Sequence, residues 1–139
     1  MIQNEILIKF NTLNKNGRIY TSEEFTKSRE DVSADGNIIK YTLLEKINKF
    51  GLRGQIGHSD SAETKNPTHT TKNFRIENDC LIGDVEPIGH NISIINTLLE
   101  NKKFVVRPRS IGTINEDLTV SLEDIVAFDI VDVKEDSFN

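Results

Sequence analysis

Cysteine is all but missing from this chain: Cys80 stands alone, so no intramolecular disulfide can form and no cysteine-based metal centre can be assembled. The residue opens an apolar stretch, Cys80-Leu81-Ile82, and reads as a small half-buried strand residue. Thiol chemistry is the lesser reading, because nothing near it in sequence would lower its pKa. Tryptophan is absent, and phenylalanine and tyrosine together make only 6% of the residues. No apolar run approaches the roughly 18 residues of a membrane span. The N-terminus, Met1-Ile2-Gln3-Asn4-Glu5-Ile6, lacks the basic start and small-residue cleavage site of a secretory signal. A cytoplasmic, non-secreted protein is therefore expected. Dense basic patches are missing too. The net charge is −5, and the tightest basic group is Lys102-Lys103 with Arg107 and Arg109, too small for a nucleic-acid groove. Neither a membrane nor nucleic acid is expected as a main partner, and no metal or cofactor set is visible.

What remains suits one soluble globular domain over residues 1–139, with 36% hydrophobic and 28% charged residues. Ile6, Ile8 and Phe10 alternate with Leu7 and Lys9, predicting a first strand. Asn16-Gly17 signals a turn. Thr21-Ser22-Glu23-Glu24 reads as a capping box, predicting a short helix over about 22–29. Residues 30–38 read as a surface loop. Tyr41, Leu43, Leu44, Ile47 and Phe50 fall at helical spacing before the stop signal Gly51. A short strand is expected over Arg53 to His58, a loop over 59–66, and a hairpin over 68–76 and 80–86. A helix with Ile92, Ile95, Leu98 and Leu99 on one face follows. Phe104 to Arg107 predicts a strand that Pro108 interrupts and Ser110 to Ile114 continues. Leu118, Val120 and Leu122 alternate, and Ile125 to Val133 reads as a strand buried on both faces. The expected fold class is α+β: a mainly antiparallel, partly closed β-barrel of about seven strands flanked by about three helices, with a two-layer sandwich as the alternative.

The order of short motifs says more than periodicity. Asn16-Gly17-Arg18-Ile19-Tyr20 resembles the NGRIYP segment of tailed-phage prohead (head-maturation) proteases, a family akin to herpesvirus assemblin, with Thr21 in place of proline. Gly54-Gln55-Ile56-Gly57-His58 resembles the family's GELxHP segment, and Thr68-His69-Thr70 a second histidine position. Asp79 to Val85 looks like the DGxxLxGxAxI strand. Arg109-Ser110-Ile111-Gly112 resembles the end of the SSRGxGxV nucleophile segment, and Phe128-Asp129-Ile130-Val131 the closing FDIV strand. The likeness runs from about residue 4 to 133.

That resemblance implies a Ser-His-His arrangement, in which a hydroxyl attacks, one histidine takes its proton and a second orients the first. It assigns His58 as base and His69 as orienter, with Arg109 and Gly112 as oxyanion or backbone support. His90, just before a helix, is expected to be a plain exposed residue. The nucleophile departs from the family: its paired serines fall on Arg107 and Pro108, neither of which can attack a carbonyl. Ser110 is the nearby hydroxyl. In a regular strand it lies about 6–7 Å beyond position 108, unless a bulge at Pro108 re-aims it.

The expectation is thus a structural virion or capsid-assembly protein that keeps the protease-like fold without peptidase activity, found in the virion or host cytoplasm. Its partners would be other virion, capsid or scaffold proteins, in a homo- or hetero-oligomer. The alternatives are an active prohead serine endopeptidase using Ser110, His58 and His69, and an unrelated α+β binding module.

Overall fold

The computed structural model describes residues 1–57, 59–100 and 104–132. Strand β1 (Ile2–Lys9) leads into a tight turn, where Asn14 Oδ1 accepts from the N–H groups of Asn16 and Arg18. Helix α1 (Glu23–Thr26) is a single turn and buries Phe25. The expected capping box does not form there: no side chain caps the helix, and the Glu24 carboxylate faces Lys27 and Arg29 instead. Capping of this kind occurs later. Thr42 Oγ1 accepts from Glu45 N–H at 3.1 Å and opens α2 (Leu43–Phe50), which Gly51 ends at φ +72° as the sequence predicts.

Residues 30–38 are not a loop. β2 (Arg29–Val32) and β3 (Ile38–Tyr41) form an antiparallel hairpin turned at Gly36. Asp35-Gly36 between β-branched residues carries that hairpin signal. β4 (Leu52–Gly54), β5 (His69–Glu77) and β6 (Cys80–Pro87) follow. Asn78 and Asp79, both at positive φ, make the two-residue β5–β6 turn that the strand twist favours. A 3-10 turn (Gly89–Asn91), on which His90 is exposed, leads to α3 (Ile92–Glu100). Ile95 is buried on α3 and Leu98 and Leu99 pack beside it, whereas Ile92 turns outward.

β7 (Phe104–Ile114) passes through Pro108 without a break, because it lies at an edge of its sheet, where a missing N–H costs least. β8 (Val120–Asp132) unites what the sequence suggests are two strands. Its Ala127–Val131 stretch is buried on both faces, as expected.

The class is α+β with mainly antiparallel strands: eight strands and three α-helices among the described residues. They form a four-stranded sheet in the order β1-β6-β5-β4, the β2-β3 hairpin and the β7-β8 pair. None of these sheets closes into a barrel. Beyond Gly54 the chain leaves β5 and runs parallel to β8: Ile130 N–H donates to Gln55 O, and Gly57 N–H donates to Ile130 O. The main core joins the four-stranded sheet to β8 through Leu7, Phe10, Phe74, Leu81 and Phe128.

Candidate functional site

The β7–β8 register is regular through Pro108 and then skips Val126 between the pairs Arg109–Ala127 and Ser110–Ile125, which marks a bulge in β8. Residues 107–111 of β7 line one cleft of about 200 Å³, with Arg18 and residues 59–62 also in its wall. Two wider grooves exist. One runs between β1 and β7 and the other over α2 and the hairpin, and neither contains Ser110 or Arg109.

Arg109 is the buried centre of the cleft wall. Its Nε lies 3.0 Å from Asp129 Oδ2, and a terminal nitrogen donates to Asp129 Oδ1 at 3.1 Å. The other donors hold the 59–64 segment: one terminal nitrogen reaches the Ser61 and Glu63 carbonyls at 3.0 Å each, and the other donates to Thr64 Oγ1 at 2.7 Å. Thr64 Oγ1 in turn donates to Arg53 O at 3.0 Å. Asp129 Oδ1 also accepts from Gln55 N–H at 3.1 Å. One buried ion pair therefore fastens three separated pieces of chain. Because these guanidinium donors are engaged in that network, Arg109 acts as a fastener of the loop. Gly112, its companion in the family pattern, sits at the second register shift of the β7–β8 pair, where a side chain would strike the Ser121 carbonyl; its role is close packing against β8.

Ser110 Oγ lies 3.3 Å from Tyr20 OH, so the predicted nucleophile shares a hydrogen bond with a buried tyrosine. His58 lies outside the described residues. His69 is fully buried. Its Nε2 lies 2.7 Å from Phe128 O, and since a carbonyl only accepts, Nε2 carries the proton. Nδ1 then accepts from Thr68 Oγ1 at 2.9 Å. Both ring nitrogens are occupied, so His69 can orient another histidine only by giving up one of these bonds. Gly54 makes the arrangement feasible: a Cβ there would collide with Phe128 O and the His69 ring.

Burial holds the His69 imidazole below its ordinary pKa, against the opposing pull of the Phe128 carbonyl and the Asp129 carboxylate. The unfolded chain accepts a proton on this ring near pH 6.5, whereas the folded chain accepts it only at lower pH. Stability is therefore fully present above about pH 6.5 and is lost as pH falls toward the folded value, by at most about 1.4 kcal/mol per pH unit. Urea denaturation of wild type and His69→Gln at pH 7.5 and 5.5 should show a larger acid loss in wild type. Equal losses would contradict this role for His69.

Sequence reasoning passed over Arg18, Tyr20 and Asp129 as site residues. A signal was available for Asp129: a carboxylate inside an apolar, doubly buried strand has to be paired. No family model, curated protein or solved structure matches this chain.

Proposed function

We propose that the chain is a structural virion or capsid-assembly protein of a tailed phage, with a prohead-protease-like fold and no peptidase activity. The observation that carries this reading is the use made of β7. The positions corresponding to the family's paired serines hold Arg107 and Pro108. The next residue, Arg109, is committed to Asp129 and to the 59–64 segment. Beside them, His69 has both ring nitrogens satisfied by Phe128 and Thr68. Side chains at these places hold the cleft together.

A partly closed barrel belongs to the same proposal. β7 and β8 continue through the parallel Ile56–Ile130 bridge into β4, β5, β6 and β1, a ring left open between β1 and β7. Other virion, capsid or scaffold subunits are the proposed partners, in a homo- or hetero-oligomer. Among the described residues no helix is long and apolar enough to cross a membrane.

Prohead peptidase activity is the second reading, favoured by one observation: Ser110 lines the same cleft as Ser59, the residue after His58. Co-expression with the scaffold and major capsid proteins of the same phage separates the two. The structural reading expects both substrates uncut with wild type and with Ser110→Ala alike, and the chain retained in mature particles. Cleavage by wild type that Ser110→Ala abolishes would establish the peptidase instead.

A further inference from the structure

We propose that the cleft at Arg18 is an anion-binding site that takes a carboxylate or phosphate group. Arg18 of the Asn16-Gly17-Arg18-Ile19-Tyr20 motif lines this cleft, a place that the virion reading does not need. Tyr20 bonds to Ser110, and Arg18 lines the space beside them. The Arg18 backbone is held rigidly: its N–H donates to Asn14 Oδ1 at 3.0 Å and its carbonyl accepts from Asn14 N–H at 2.9 Å. Ile19 is fastened on both sides to the β7–β8 connection, donating to Leu118 O and accepting from Val120 N–H. The guanidinium is thus delivered to the cleft from a fixed base. Its Nε is buried and has no hydrogen-bond partner among the described residues, a costly state that an acceptor drawing the guanidinium toward the cleft would offset.

The rest of the lining favours an acceptor-rich guest. Ser59 Oγ and Ser61 Oγ accept from the N–H groups of Ser61 and Glu63 at 3.1 Å, which leaves their hydroxyl protons to donate. Asp129 is used up by Arg109 and Gln55. Among the described residues the lining carries three arginines, Arg18, Arg107 and Arg109, and two aspartates, Asp60 and Asp129. A volume of about 200 Å³ admits a small group and no extended chain. Planar guanidinium donors match a carboxylate or a phosphate. This inference holds whether the chain is structural or a peptidase, since it concerns Arg18 and the serines of the 59–62 segment.

The test is a two-dimensional ¹⁵N NMR titration with sodium phosphate, and separately with sodium acetate, at constant ionic strength. Saturable shifts confined to the amides of 17–19 and 59–62 are expected. Arg18→Gln should weaken the fitted affinity about tenfold or more, and Arg18→Lys should weaken it less. Saturation by phosphate alone assigns the group as phosphate, saturation by acetate alone assigns a carboxylate, and saturation by both leaves the site general for the shared chemistry. The proposal is overturned if wild type shows only linear drift, if chloride produces the same shifts, or if well-dispersed Arg18→Gln binds as tightly as wild type. The wild-type titrations decide on their own should that variant fail to fold.

Discussion

Replacing Asp129 by alanine should destabilise the protein by about 3–5 kcal/mol, the usual cost of leaving one partner of a buried ion pair uncompensated. The side chains of Arg109 and Asp129 are only 6% and 5% exposed, so little water can reach the guanidinium left behind. The same substitution strips an acceptor from Gln55 N–H, loosening the segment that attaches β4 to β8. A fall in the thermal midpoint on the order of 10 °C follows from such a loss in a domain of this size. The paired change Arg109→Met with Asp129→Leu removes both charges together and should cost distinctly less than Asp129→Ala alone. Thermal and urea unfolding of wild type and the two variants checks this. A double variant no more stable than the single one would mean that the hydrogen bonds to residues 61–64, and not the buried charge, dominate.

Gly54→Ala should be similarly damaging, on the order of 4 kcal/mol, because overpacking adds to the loss of a buried hydrogen bond. The intruding methyl meets the Phe128 carbonyl and the His69 ring at once, so the His69–Phe128 bond cannot survive without a backbone shift. Gly54 is not at a positive φ, which makes the expected penalty one of space and not of backbone conformation. Coupling provides the check. His69→Ala removes half of the obstruction, so the two substitutions together should destabilise by less than the sum of their separate effects. Strict additivity, or a Gly54→Ala variant within 1 kcal/mol of wild type by urea denaturation, would rule this explanation out.

These two expectations concern neighbouring layers of one structure. Gly54 lets β4 approach β8, and Gln55 then uses both its backbone groups on β8: its N–H on Asp129 and its carbonyl on Ile130. Asp129 passes the connection on to Arg109, and Arg109 to residues 61–64. Loss of any member therefore reaches the cleft that holds Ser110 and Arg18, even though none of these contacts involves a ligand.

Local chemistry made much of the fold legible. The β5–β6 hairpin, α2 with its Gly51 stop and the doubly buried end of β8 follow from alternation, helical spacing and turn residues, each acting within a few positions. The β2–β3 hairpin was less legible, because its strands are short, charged and exposed: residues 30–39 have no buried side chain to give a two-residue period. The capping-box pattern Thr21–Glu24 misleads for a related reason. Glu24 has a stronger partner in Arg29, which also reaches the Glu24 and Leu122 carbonyls, and a long-range contact of that kind outweighs a local cap.

The site divides in the same way. By itself the sequence determined the candidates: which hydroxyl and imidazoles exist, that Arg107-Pro108 cannot act as a nucleophile, and that Asp129 sits inside an apolar strand. Only the tertiary structure decided what each one touches. Ser110 lines the cleft beside Arg109, Tyr20 arrives from 90 residues away to share a hydrogen bond with it, and His69 folds inward onto the Phe128 carbonyl. The physical reason is that a strand's alternation is local, whereas bulges, ion pairs and buried hydrogen bonds are settled by whichever distant partner can satisfy a buried polar group.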